Sequence, residues 1–247
     1  MKSLKIFAAG VSGLIVAGTF VISCTKNVQE ATPLFDNYSN SAIVQLYIAT
    51  VNATRNYIYV DAQAVNGSSL SSGSVFPGIG YGFNVATGLR GFTVRDTLST
   101  TTQVPLTFAQ NFQGGKTYTV FTYDTITTPL QKTVETNIVV PGDTTARVRF
   151  ANFIFSRVAI PNVDIFSKRR NINVFTNVGV TDVTDFTAFP SAFNDTLFVR
   201  ETGTSNLLAT LNGFNPTQKR SYTLVFRGRY QSTSGTVVRT LSSFVNR

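Results

Sequence analysis

The sequence contains no histidine and no tryptophan, a single cysteine, and a single methionine, which is its first residue. Without histidine, no side chain ordinarily changes charge near neutral pH, and Ser-His-Asp and Cys-His nucleophile arrangements are excluded. A catalytic zinc site would have to be built from carboxylates alone, outside the usual ligand sets. Charged residues make up only 13% of the chain, and acids are fewer than bases, 12 against 21, for a formal charge of +9. The lone cysteine, Cys24, has no disulfide partner. The absence of tryptophan also removes the largest aromatic platform on which a sugar ring stacks.

What is present favours strands. Hydrophobic residues reach 43%, with 21 Phe and 9 Tyr. Thr, Val, Asn and Gly are abundant, and strong helix formers are few. This is too apolar for a disordered chain, and 247 residues suffice for one large domain or two small ones. The positive charges are scattered singly, apart from the run Lys168-Arg169-Arg170. No recognition-helix pattern accompanies them, so nucleic acid is not an expected partner.

Met1 to Lys5 is a short basic segment, and Ile6 to Ser23 is apolar with small residues. That is the layout of a secretory signal. Val21-Ile22-Ser23-Cys24 resembles the lipobox of bacterial lipoproteins. The resemblance implies cleavage before Cys24, attachment of diacylglycerol to its sulfur, and acylation of the new amino terminus. Several acyl chains together hold a protein stably on a membrane where one does not. Thr25 stands where Asp is associated with inner-membrane retention, so an outer-membrane lipoprotein is expected. Without Lys2 and Lys5 the remainder carries +7. The expected organisation is a signal peptide over 1–23, a polar tether over 24–40, and two β units over 41–141 and 142–247.

The two units follow from an internal repeat. Alternation of period two runs through Ala42–Ile48, Asn56–Asp61, Gly91–Asp96, Lys116–Tyr123 and Val134–Val140, divided by turn signals at Asn66-Gly67, Pro77-Gly78, Gly114-Gly115 and Pro141-Gly142. Val44, Leu46 and Ile48 share one face, as do Ile58 and Val60, and Phe92 and Val94. The pattern then restarts. Ala42–Leu46 matches Ala146–Phe150, and Lys116–Val120 matches Arg220–Leu224, each 104 residues apart; Ile58 and Val60 match Val163 and Ile165, and Thr93–Thr97 matches Phe198–Thr202, each 105 apart. The fold class expected is all-β: two tandem immunoglobulin-like or transthyretin-like sandwiches, each of about 100 residues and roughly seven strands. Their cores rest on Phe, Tyr, Val, Ile and Leu.

Val148–Phe166, with VRFAN and PNVDIF at its ends, and Gly114–Asp124 (GGKTYTVFTYD) resemble the tandem modules of domain of unknown function family 4397, common in Bacteroidetes envelope lipoproteins. Phe153–Ile160 departs from the Ser-Pro-Asp-Ala-Pro-type loop of that family. The resemblance implies an extracytoplasmic sandwich and no reaction.

Candidate sites are few. Tyr57, Tyr59 and Tyr81, with Phe83, are candidates for offering aromatic faces to a sugar; cross-strand packing is the competing reading. Lys168, Arg169 and Arg170, together with Arg227 and Arg229, are a candidate basic patch for acidic glycan or lipopolysaccharide, against a solvated hairpin tip. Asp182 and Asp185 are close in sequence but lack a calcium-loop pattern and read as turn residues. Pro77–Gly82 is glycine-rich without the Lys-Ser/Thr of a phosphate loop and reads as a wide loop. Thr97, Thr125, Thr144 and Thr196 each follow Asp and resemble the Asp-Thr-apolar acceptor of Bacteroidetes O-glycosylation. No cofactor, metal or reaction is expected. The expected partners are the membrane, through Cys24, and a glycan or another envelope protein. The expectation is a non-catalytic envelope module for binding or scaffolding; the alternative is a surface glycan-binding lipoprotein for nutrient uptake or adhesion.

Overall fold

The computed structural model describes residues 38–138 and 140–247. The signal segment 1–23, Cys24 and most of the tether lie outside the described residues. Asn37–Arg247 forms one compact unit. After a single 3-10 turn (Tyr38–Asn40), the first half runs β1 (Ser41–Ile48), β2 (Tyr57–Val60), β3 (Gln63–Ala64), β4 (Val75–Phe76), β5 (Phe83–Ala86), β6 (Gly88–Arg95), β7 (Leu106–Phe112), β8 (Thr117–Tyr123) and β9 (Leu130–Glu135). The second runs β10 (Ala146–Phe155), β11 (Val163–Ser167), β12 (Ile172–Val178), β13 (Thr187–Phe189), β14 (Asp195–Glu201), β15 (Leu207–Phe214), β16 (Ser221–Arg229) and β17 (Thr240–Val245).

Each half is a sandwich of two sheets. In the first, β4 and β5 together flank β1, followed by β8 and β9, and the other sheet runs β3-β2-β6-β7. The second half repeats the plan as β13-β10-β16-β17 and β12-β11-β14-β15. The first strand of each half pairs in parallel with the seventh strand position, β1 with β8 and β10 with β16, and every other pairing of named strands is antiparallel. In an immunoglobulin constant domain the first strand shares a sheet with the second. Here it does not: each half is an all-β sandwich whose first strand lies in the other sheet from the second, with eight strand positions rather than seven.

Alternation explains the cores. Val44, Leu46 and Ile48 of β1 meet Ile58, Phe92, Val94, Tyr118 and Val120 inside the first sandwich. Val148 and Phe150 of β10 meet Val163, Ile165, Val199, Tyr222 and Leu224 inside the second. The opposite faces of β1, β8, β10 and β16 are also buried, because the two inner sheets pack on each other. Tyr47, Ala49 and Phe121 from the first half and Ala151, Phe153, Val225 and Phe244 from the second form a third cluster. Phe121 stacks on Phe153 with centroids 4.6 Å apart, and Tyr47 on Phe244 at 5.2 Å. Such aromatic pairs add to the area they bury. Arg227 reaches across to the Tyr47 hydroxyl at 3.0 Å. Its guanidinium lies against Gly73, where an added Cβ would meet Nη2 at 2.2 Å.

The sequence repeat is visible as register. Ile43 faces Thr117 and Arg147 faces Ser221, so the inner pairing is identical at an offset of 104. The outer sheet differs from the sequence match. Ile58 faces Val94, but Val163 faces Glu201 and it is Ile165 that faces Val199. The true counterpart of Ile58 is therefore Ile165. A slip of two residues leaves every side chain on its own face, so hydrophobic patterning does not resist it. The segment expected as a strand over Val134–Val140 also shifts: β9 ends at Glu135, opposite Tyr118, where its partner begins.

Candidate functional site

The contacts between the halves are reciprocal, as across a two-fold axis. Gln45 and Arg149 hold equivalent places on β1 and β10, and Thr136 and Asn246 equivalent places just past β9 and β17. The Gln45 amide donates to the Val245 carbonyl at 2.8 Å and accepts from the Asn246 amide at 3.0 Å. In the mirrored position, Arg149 donates through Nη2 to the Thr119 and Thr136 hydroxyls at 2.8 and 3.2 Å, and through Nε to Thr223 at 2.9 Å. This is the self-complementary form expected where two copies of one surface meet.

Two hollows flank this polar belt. The first, about 560 Å³, is lined by Glu135, Asn137, Arg147, Arg149, Asp185 and Phe186, among others. The second, about 660 Å³, is lined by Ile43, Tyr81, Lys116, Thr136, Asn137 and Arg247, among others. They are counterparts: Arg147 occupies the place of Ile43, and Phe186 stands in the loop before β13 as Tyr81 stands in the loop before β5. Each ring is approached by an arginine, Arg149 at 4.8 Å from the Phe186 centroid and Arg247 at 5.9 Å from that of Tyr81. Both volumes lie within the range of small-ligand pockets.

Arg149 is only 3% exposed. Among the described residues no carboxylate comes within 4.0 Å of it. Burial pulls its pKa down to about 9, which leaves it charged at neutral pH. Glu135, in the same hollow, is already paired with Lys116 at 2.7 Å. Arg147 has the Asp143 carboxylate 4.0 Å away and donates to Thr145.

The residues singled out from the sequence do not converge. Tyr57 and Tyr59 lie on the outward face of the outer sheet, half-buried, with Arg55 5.4 Å from the Tyr57 centroid and Arg95 4.7 Å from that of Tyr59. The second half repeats this: Arg200 lies 3.8 Å over Phe166, the counterpart of Tyr59. These rings are thus partners in a cation–π packing that both halves share. Tyr81 is apart from them, 59% exposed at the second hollow. Phe83 packs on Phe76 at 5.5 Å.

Lys168, Arg169 and Arg170 form the turn between β11 and β12. The Asp195 carboxylate accepts from the Arg169 and Thr196 amides at 2.9 and 2.7 Å and from the Ser167 hydroxyl. Arg169 and Arg170 lie over Phe193 and Phe189. Arg227 and Arg229 do not join them, which corrects the expected patch. Arg227 is held in the contact between halves, and Arg229 sits opposite Phe155, by the start of β11 rather than its end. Five residues of β11 separate the two groups, about 17 Å of strand.

Of the acceptor threonines, Thr97 and Thr144 are exposed, while Thr125 and Thr196 are half-buried. Thr125 shares its hydroxyl with Thr127 and Thr128, and Thr196 belongs to β14. Asp182 caps Gly179 N at 3.1 Å. Among the described residues no group of three His, Cys, Asp or Glu side chains is placed to hold a metal ion.

Reasoning from sequence missed Arg149 and the tyrosine brackets. The Tyr118 hydroxyl accepts from Gln113 N at 3.2 Å and the Tyr222 hydroxyl from Thr217 N at 2.9 Å, each pinning the turn before its strand. Their shared place at an offset of 104 was the available signal.

No family model matches the chain, and no curated protein matches it. Among solved structures, the chain is similar to a DUF1812 protein of Bacteroides thetaiotaomicron VPI-5482, described as one of the "putative polysaccharide binding proteins". The match has 12% identity and a TM-score of 0.23, and covers 83% of this chain and 96% of that one. A TM-score so low does not establish a common fold.

Proposed function

We propose that this chain is a non-catalytic, lipid-anchored envelope protein whose fused sandwiches serve as a binding or scaffold module. The observation that carries the non-catalytic part is where the carboxylates are spent. Asp61 accepts from Gly91 N, Asp96 from Leu98 N, Asp124 from Thr125 N and Asp143 from Thr145 N. Asp164 accepts from Asn177 N and Thr202, and Glu201 from Tyr230. Each of these closes a turn or braces a strand. Glu135 and Asp185 share the first hollow, but Glu135 is held by Lys116 at 2.7 Å and is not the free member of an acid–base pair that glycoside hydrolysis requires. The sequence offers no histidine in their stead.

The anchored, outer-membrane part rests on the lipobox-like Val21–Cys24. The resemblance to family 4397 supports an envelope module. Metabolic labelling with a palmitate analogue tests the anchor: label enters the intact protein and is absent from Cys24→Ala. Label that never enters, or that persists in Cys24→Ala, removes the anchor. The alternative, glycan binding at the surface, is favoured by the aromatic ring at the mouth of each hollow, Tyr81 in one and Phe186 in the other. Glycan-array binding by the full chain in detergent separates the two readings, since a scaffold that recognises only protein leaves the array blank.

A further inference from the structure

Arg149 is a buried charge in the contact between the halves where the equivalent position of the first half carries the neutral Gln45. On the other side of the pseudo-two-fold, Gln45 meets two partners with both ends of its amide. The corresponding guanidinium has three hydroxyl acceptors for Nε and Nη2, and Nη1 makes no hydrogen bond among the described residues. Burying a cation with no counter-charge is costly. Hydroxyls do not neutralise it, and the two carboxylates of the same open hollow are not in contact with it: Glu135 is held by Lys116, and Asp185 lies beyond 4.0 Å. An anion entering that hollow would supply the missing charge and, through Nη1, a charge-assisted hydrogen bond.

The remaining walls narrow the anion. Phe186 offers an apolar surface already polarised by the guanidinium 4.8 Å from its centroid. The Asp185 carboxylate, also in the lining, has no assigned partner among the described residues and is an acceptor for hydroxyl donors. Asn137 adds a donor and an acceptor. A bare inorganic anion would use Arg149 alone and offer Asp185 no hydroxyl donor. A sugar acid uses both, carboxylate to arginine and ring hydroxyls to Asp185, with a ring face on Phe186. We propose that this hollow binds a hexuronate unit of an acidic glycan, with Arg149 taking its carboxylate. The inference rests on the binding-module reading and gives it a ligand class.

The test is calorimetric titration of the full chain in detergent at low salt with trigalacturonate, with its uncharged methyl ester, and with succinate. Trigalacturonate binds; the ester and succinate bind about tenfold or more weakly, as the loss of one charged hydrogen bond or of the ring contacts requires. Arg149→Gln copies the residue that the other half already accommodates, and weakens trigalacturonate to the level of the ester. Phe186→Ala, at a half-buried loop position, weakens it independently should Arg149→Gln fail to fold. Absent trigalacturonate binding at millimolar concentration, equal binding of the ester or of succinate, or undiminished binding by Phe186→Ala overturns the inference. A chain that ignores trigalacturonate yet binds neutral glycans on the array loses this inference alone and keeps the broader reading.

Discussion

Gln45 and Arg149 sit at one position of a repeated strand, and the halves diverge there more sharply than anywhere in their cores. The cores are near copies. Phe112 meets Tyr118 edge-on at 5.0 Å, and Phe214 meets Tyr222 edge-on at 5.8 Å. Each tyrosine then pins the amide five residues before it. On the shared face the same positions carry different residues. Tyr47 answers to Ala151, Ala49 to Phe153, and Phe121 to Val225. Bulk at a position in one half answers to a smaller residue at the equivalent position of the other, so the rings that meet, Phe121 on Phe153 and Tyr47 on Phe244, come from non-equivalent positions. A duplicated unit keeps what its own sandwich needs and changes what it presents to its twin. That is how a symmetric contact becomes asymmetric, with Arg149 and two carboxylates lining one hollow and Lys116 and Arg247 lining the other.

The largest way to break this comparison is at the interlock. Phe153→Ala removes a ring 1% exposed that stacks on Phe121. It should cost about 3–5 kcal/mol in urea unfolding. Because it belongs to neither sandwich core, it should also loosen the coupling that makes the halves unfold together. Phe153→Ala melting as one transition, unshifted from wild type, would mean the halves are joined by the linker alone.

Tyr118→Phe and Tyr222→Phe sharpen the likeness. Each should cost about 1–3 kcal/mol by stranding one amide, and the two losses should agree. A neutral result in one half would show that the bracket is kept in form and not in effect.

A pH series separates the halves again. Glu201 braces Tyr230, while its counterpart Asp96 lies 3.5 Å from Arg55. Burial first, and then the bond to Glu201, push Tyr230 up to about 12. Burial also raises Tyr47. For an acid whose folded pKa is raised, the contribution is whole below the ordinary value of 10.0 and is lost as pH climbs through about 12. Thermal midpoints should therefore fall over that window, and fall less in Tyr230→Phe.

The smallest effects belong to the outer faces. Arg95→Ala and Arg200→Ala each remove a guanidinium from a half-exposed ring and should cost less than about 1 kcal/mol. A larger loss for Arg200 alone would reflect its second ring, Phe198, at 5.4 Å.

Much of the sandwich plan was legible. Val44, Leu46 and Ile48 do share the inward face, and the inner strands fall where the 104-residue offset puts them. The packing of one half on the other was not, because alternation marks one buried face and leaves the other open to either reading. Gln45 and Arg149 made the outer side of β1 and β10 look solvated, since such residues are rarely buried. The outer register escaped for a different reason: at period two, Ile58 fits Val163 as well as Ile165. The alternation at Tyr57 and Tyr59 already favoured packing over a ligand platform, and Arg95 over Tyr59 supplies the partner that the sequence did not name. The edge of β9 depended on where β8 begins, which lies in a distant stretch of sequence.

The partner of Tyr47 at the contact, Ser242, is 195 residues further along the chain. During synthesis, the first sandwich would therefore hold a bare aromatic flank from its completion until almost the final strand emerges. Such a surface invites aggregation and early companions, and closure over so long a separation is slow. The cover for that flank is thus supplied last, by the chain's own carboxy-terminal strand.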